Sequence, residues 1–125
     1  MAAKQYGAQH LVKHGGADVR EALRDALPDG AHAVLDPVGG VLSEPALRSL
    51  RRGGRFVTIG YASGTIPAIP LNLVLVKGIH LLGFQFHDVP AEEYVRNETE
   101  LAELLTTGTV VPHIGAVYSL ADSAA

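Results

Sequence analysis

Cysteine is absent from the 125 residues. Disulfides, Cys-based zinc sites and thiol nucleophiles are therefore excluded, which fits a reducing, cytoplasmic setting. Long apolar runs are missing too. The most apolar stretch, residues 71–86, is broken by Asn72, Lys77, Gly78, His80, Gly83 and Gln85, so no membrane span is expected. The opening residues, MAAKQYGAQH, hold no apolar signal core. Positive charge is not in excess: 10 Lys and Arg against 13 Asp and Glu give a net charge of -3. That balance leaves no electrostatic footprint for nucleic acid or an anionic membrane.

What is present is apolar material for one small globular domain: 47% of residues are hydrophobic and mean hydropathy is +0.19. The chain is organised around residues 31–64. Ala33, Val34 and Leu35 read as a short strand buried on both faces. Asp36, Pro37, Val38, Gly39 and Gly40 end it. Leu42, Ala46, Leu47 and Leu50 then recur at helical spacing, with Arg48, Arg51 and Arg52 on the other side. Pro45 fits only in the first turn, and Gly53 and Gly54 stop the helix. Residues 56–59 form a second buried strand and residues 60–64 leave it as a loop. A strand, crossover helix and strand of this length predict a right-handed βαβ unit with parallel strands. Ligands of such sheets sit beyond the carboxyl ends of the strands, here the loops at residues 38–40 and 60–64.

The flanks read as follows. Residues 2–6 resemble a last helical turn capped by Gly7. Residues 9–13 form a weak strand on Leu11 and Val12, and His14, Gly15 and Gly16 a turn. Asp18 and Glu21 spell a capping box for a helix carried by Val19, Ala22, Leu23, Ala26 and Leu27. Residues 71–76 predict a short buried helix ended by Lys77 and Gly78, and residues 79–86 a further strand. Asp88 caps the next helix, with Pro90, Glu92 and Glu93 in its first turn. Tyr94, Leu101, Leu104 and Leu105 form its apolar face and Gly108 ends it. Residues 110–118 are extended. Ser119 and Asp122 spell another capping box close to the last residue, Ala125. Because both ends fall inside helical signals, the expectation is a piece of a larger domain.

DPVGG at residues 36–40, ALRSLRRGGRFVTIGYASG at 46–64, IPLNLVLVKGIHLLGF at 69–84 and VVPHIGAVYSLADSA near the end resemble the medium-chain dehydrogenase/reductase superfamily. The branch they are most similar to is the zinc-free, quinone oxidoreductase-like one. The resemblance covers nearly the whole chain. It implies an α/β fold, a partial Rossmann-type parallel sheet with flanking helices that lacks the first two strands and the Gly-rich loop. Residues 1–125 would then be part of a nucleotide-binding domain. It also implies NADPH- or NADH-dependent reduction of quinones, enones or related activated double bonds. The family's pyrophosphate loop has no counterpart: no two glycines lie two apart, so G-x-G-x-x-G does not occur. The ribose-discriminating strand and the catalytic domain of the family are also without a match. Inactivity of this chain alone is expected. The strands at 33–35, 56–59 and 79–84 can pair in sequence, with one sheet edge exposed unless residues 9–13 re-pair there.

The resemblance places cofactor contacts at Val38, Gly39, Gly60, Tyr61, Ala62 and Ser63, and nicotinamide contacts near Phe84 and Gln85. Against this stand glycines that serve only as turns and Phe84 as a core residue. Tyr61 reads as a loop aromatic beside the cofactor rather than a proton donor, and no catalytic residue is named. His10 and His14, four apart, flank a strand and lack a third ligand nearby, so no metal site is expected. Arg48, Arg51, Arg52 and Arg55 read as a solvated helix face. Residues 79–86, opening on Ile79 and closing on Phe86, suit a homodimer by strand addition, as the superfamily implies. Two other functions remain open: a non-catalytic assembly module that pairs with a homologue or a separate N-terminal half, and a small flavodoxin-like binding domain.

Overall fold

The computed structural model of the chain describes residues 2–14 and 18–122. The expected turn at Gly15 and Gly16 lies outside them. Two compact units divide the chain, one running to Phe86 and the other starting at His87.

In the first unit the expected terminal turn is α1 (Ala2–Gln5), followed by Gly7 at a positive φ. Helix α2 (Val19–Ala26) starts where the capping signal predicts. The Asp18 carboxylate accepts from the amides of Arg20 and Glu21, at 3.0 and 3.4 Å. The box is only half closed, because the Glu21 side chain turns to Arg24 instead.

The sheet is three-stranded and parallel, in the order β1 (Ala31–Asp36), β2 (Leu50–Thr58), β3 (His80–Gly83). A 3-10 turn (Gly40–Leu42) and helix α3 (Ser43–Arg48) cross from β1 to β2. Helix α4 (Leu71–Lys77) crosses from β2 to β3 and ends on left-handed Gly78. Pro45 lies in the first turn of α3, as its missing N–H requires. The fold is thus the expected α/β, partial Rossmann-type parallel sheet.

The helix expected to run through Leu50 is shorter. Its last turn closes at Ser49, whose amide donates to Pro45 O and whose hydroxyl donates to Ala46 O at 2.7 Å. Leu50 already belongs to β2. Gly53 and Gly54 stop no helix. They lie in a bulge of β2, where the register jumps from Ala31 opposite Leu50 to Ala33 opposite Arg55. Arg51, Arg52 and Arg55 are therefore strand residues, and the expected arginine helix face reduces to Arg48, paired to Glu44 at 2.6 Å.

The core is small: Leu47, Leu50, Phe56 and Ile79 are buried, with Val34, Ala46, Ile69 and Leu73 packed against them. Helix α3 packs on β1 and β2, α4 on β2, and α2 on α3. Leu47 and Leu73 join the one cluster that holds Val34 and Phe56, so α3 and α4 share a sheet face. Leu35 is 68% exposed, and β1 is not buried on both faces as its apolar run predicts. Helix α4 is likewise not buried, with Leu71, Leu75 and Val76 exposed; only one stripe of it reaches the core. Residues 9–13 form no strand. Two apolar side chains give them little to bury, and they do not re-pair. Among the described residues β1 and β3 each have a strand partner on one side only.

Gly30 precedes β1 with φ +76, where the chain passes close under β2. An added Cβ would stand 2.8 Å from Arg51 N and 3.0 Å from both Arg51 Cα and Ser49 O. All three are backbone atoms and cannot swing aside. Gly30→Ala is expected to cost about 1–3 kcal/mol in urea denaturation. A loss below a few tenths would show that the turn re-forms with negative φ.

Strand β3 stops at Gly83, earlier than expected, and Phe86–Asp88 forms a 3-10 turn, after which the second unit follows. Helix α5 (Ala91–Thr106) starts at Pro90 without a side-chain cap, so Asp88 is not its cap. Glu92 and Glu93 do occupy its first turn, and Gly108 follows its end with φ +71. Residues 110–118 are irregular, and Ser119 leads into a 3-10 turn (Leu120–Asp122) with its hydroxyl 2.6 Å from the Asp122 carboxylate.

Candidate functional site

Strand β1 ends in Asp36, a short acidic side chain able to bond its own backbone two and three residues on. The carboxylate accepts from Val38 N at 3.0 Å, Gly39 N at 2.8 Å and the Ser43 hydroxyl at 2.6 Å. It is 7% exposed. Burial pushes its pKa up, but the bonds from Gly39, Ser43 and Val38 outweigh this and hold it below its ordinary value. One side chain thus fixes the loop after β1 and the start of α3 together. Sequence reasoning read Asp36 only as the end of a strand; its spacing to the two following amides was the available signal.

The two glycine loops are brought side by side at the carboxyl ends of β1 and β2. Ala62 N donates to Pro37 O at 3.1 Å, Ser63 N to Val38 O at 2.9 Å and Gly40 N to Thr65 O at 2.9 Å. Gly39 has φ +71, and an added Cβ would stand 2.9 Å from both Thr65 O and Tyr61 Cδ1. Gly60 passes close to Pro37 O in the same way. The loops that carry Val38, Gly39, Gly60, Tyr61, Ala62 and Ser63 are therefore joined through their backbones, with Gly39 itself buried between them.

Beside it opens an apolar cleft of about 220 Å³, bordered by Phe56, Thr58, Tyr61, Ile69, Leu82 and Gly83. The Thr58 hydroxyl is buried there with no hydrogen-bond partner. Phe84 continues the β2–β3 ladder by donating its amide to Thr58 O at 3.1 Å. Its side chain is 52% exposed, so it is no core residue. Neither Phe84 nor Gln85 lines this cleft. Thr58 and Ile69 do; in the sequence, a strand interior and a Pro-flanked loop carry only a packing signal. No group of three or more His, Asp or Glu that could hold a metal occurs among the described residues.

Residues 1–105 match the family described as zinc-binding dehydrogenase. The chain belongs to that family. Within it the chain is 33% identical to quinone oxidoreductase-like protein 2 of Bos taurus over 124 residues, which is 96% of this chain and 36% of that protein. The Mus musculus protein of the same name is 32% identical over 122 residues, 94% of this chain and 35% of its own length. In fold the chain is similar to Escherichia coli quinone oxidoreductase complexed with NADPH, with a TM-score of 0.80 at 23% identity, covering 91% of this chain and 36% of that one. It thus spans about a third of the length of these dehydrogenase-family relatives. The family resemblance read from DPVGG and the loops that follow is correct, and the quinone oxidoreductase-like branch is the one the relatives occupy. No helix among the described residues is long and apolar enough to cross a membrane.

Proposed function

We propose that the chain is the C-terminal part of the nucleotide-binding domain of an NAD(P)H-dependent quinone or enone reductase working in the cytoplasm. In this reading it supplies one wall of the dinucleotide site and does not catalyse reduction unaided. The observation that carries the reading is the pairing of the two glycine loops beside the apolar cleft, at the carboxyl ends of β1 and β2. That is where parallel sheets bind ligands. The cleft, with Tyr61 at its border and an unpartnered Thr58 hydroxyl in its wall, suits a flat ring that carries a polar group, as nicotinamide does.

The pyrophosphate is a poorer fit. Residues 36–40 and 60–65 contain no Lys or Arg, and the helix that follows the first loop, α3, has only 6 residues and is entered through a 3-10 turn. When bound, the dinucleotide supplies a hydride. The residues here would hold and screen one side of its ring: Tyr61 and Ile69 border the cleft and would exclude water, while Gly39 and Gly60 let the two loops approach each other. An assembly role belongs to the same reading. Among the described residues β1 and β3 each have a strand partner on one side only, which suits strand addition, through residues 79–86 to a second copy.

Titrating the chain with NADPH while following nicotinamide fluorescence is expected to show no saturable binding below the millimolar range and no quinone reduction. Adding the separately produced N-terminal part of a quinone oxidoreductase-like relative is expected to restore both. Micromolar binding by the chain alone would overturn the one-wall reading, and tight FMN binding would replace it with a flavodoxin-like one.

A further inference from the structure

The opposite ends of the strands border a second cleft, of about 410 Å³. Gly30, which leads into β1, and Leu50, which opens β2, both line it, so it lies at the amino ends of the sheet. Five cations line it from four elements: Arg20 and Arg24 of α2, Arg48 of α3, Arg51 of β2 and Lys77 of α4. Asp29 is its one acidic lining residue. In a chain of net charge -3 this is a local reversal of sign.

Part of that charge is answered. Arg24 pairs with Glu21 at 3.4 Å and Arg48 with Glu44 at 2.6 Å. Arg20, Arg51 and Lys77 have no carboxylate partner among the described residues. Lys77 donates instead to Arg48 O at 2.6 Å. Burial, and then the charge of Arg48, hold its pKa below the ordinary lysine value. The C-terminal ends of α2, α3 and α4 all border the cleft, and their dipoles disfavour an anion. Attraction has to come from the side chains, with Lys77 already covering one of the carbonyls.

We propose that this cleft binds a small molecule carrying a dianionic phosphate, held by Arg20, Arg51 and Lys77. Three cations from three elements, none with a carboxylate partner among the described residues, suit a group with several charged oxygens, and guanidinium forks match phosphate geometry. Leu27, Pro28 and Leu73 offer the organic part an apolar wall. The volume is that of a small-molecule site. The site is separate from the glycine loops and does not rest on the dinucleotide reading.

The test titrates the full chain with phenyl phosphate, by calorimetry and by amide NMR shifts. Saturable one-to-one binding is expected, with shifts centred on Arg20, Gly30, Arg51 and Lys77. Arg20→Gln with Arg51→Gln is expected to weaken it about tenfold or more. Arg55→Gln with Arg96→Gln removes the same charge elsewhere and should leave affinity within about twofold. NADPH should not compete. Equal losses in the two double variants, shifts away from those four amides, non-saturable binding or displacement by NADPH with shifts at Gly39 and Ser63 would each overturn the proposal. The shift map of the unsubstituted chain decides the matter even if a variant fails to fold.

Discussion

Leu47→Ala lowers the stability of the first unit by about 2–5 kcal/mol. Leu47 is 0% exposed and one of four buried apolar side chains among the described residues. It fixes α3 over β1 and β2, and a cavity there has few neighbours to close it. Against a usual domain stability of about 5–15 kcal/mol, this loss is large enough to broaden or abolish a cooperative transition. Urea denaturation followed by circular dichroism measures it. Leu35→Ala is the matched control: Leu35 is 68% exposed, so its loss should stay within about 0.5 kcal/mol. Comparable losses in the two variants would mean that the far face of β1 is covered and the core is misplaced.

Asp36→Ala comes second, at about 3 kcal/mol, because it strands the Val38 and Gly39 amides and the Ser43 hydroxyl at once. Asp36→Asn keeps an oxygen for the two amides but cannot take the Ser43 proton in the same way, and should lose about half as much. The same group sets an acid limit. Its folded pKa is depressed, so its contribution is fully present above the unfolded carboxylate value of about 4. It is lost as pH falls through the lower folded value. Acid titration should therefore loosen residues 36–43 only below about pH 4 in the wild type, with the Asn variant lacking this dependence. An Asn variant with the same acid profile would assign the effect to another carboxylate.

Much of the fold is legible in the sequence because local and global signals agree. Asp18 with the spacing of Val19, Ala22, Leu23 and Ala26 leaves α2 no alternative. The βαβ order follows from two short apolar runs bracketing a helical pattern. Leu50 misleads because it lies three residues after Leu47, a spacing shared by a helix face and by a helix followed at once by a strand. The helix closes at Ser49, whose amide and hydroxyl both bond back to the preceding turn. Gly53 and Gly54 mislead for a related reason: a bulge and a helix stop call for the same residue type. The glycine loops of the candidate site are legible as loops, but their mutual hydrogen bonds are not. Those depend on the lateral distance between β1 and β2. The basic cleft is spread over residues 20–77, and no short window of sequence contains it.

The wholly parallel ladder has a consequence for how this chain reaches its structure. No hairpin can seed the sheet, because each strand meets its neighbour only after a helix has been laid between them. Between Asp36 and Leu50 that helix is α3, and between Thr58 and His80 it is α4. Ordering the chain over these distances costs entropy before any strand pairing repays it. Assembly of the sheet thus waits on the docking of two short helices, each too brief to persist by itself.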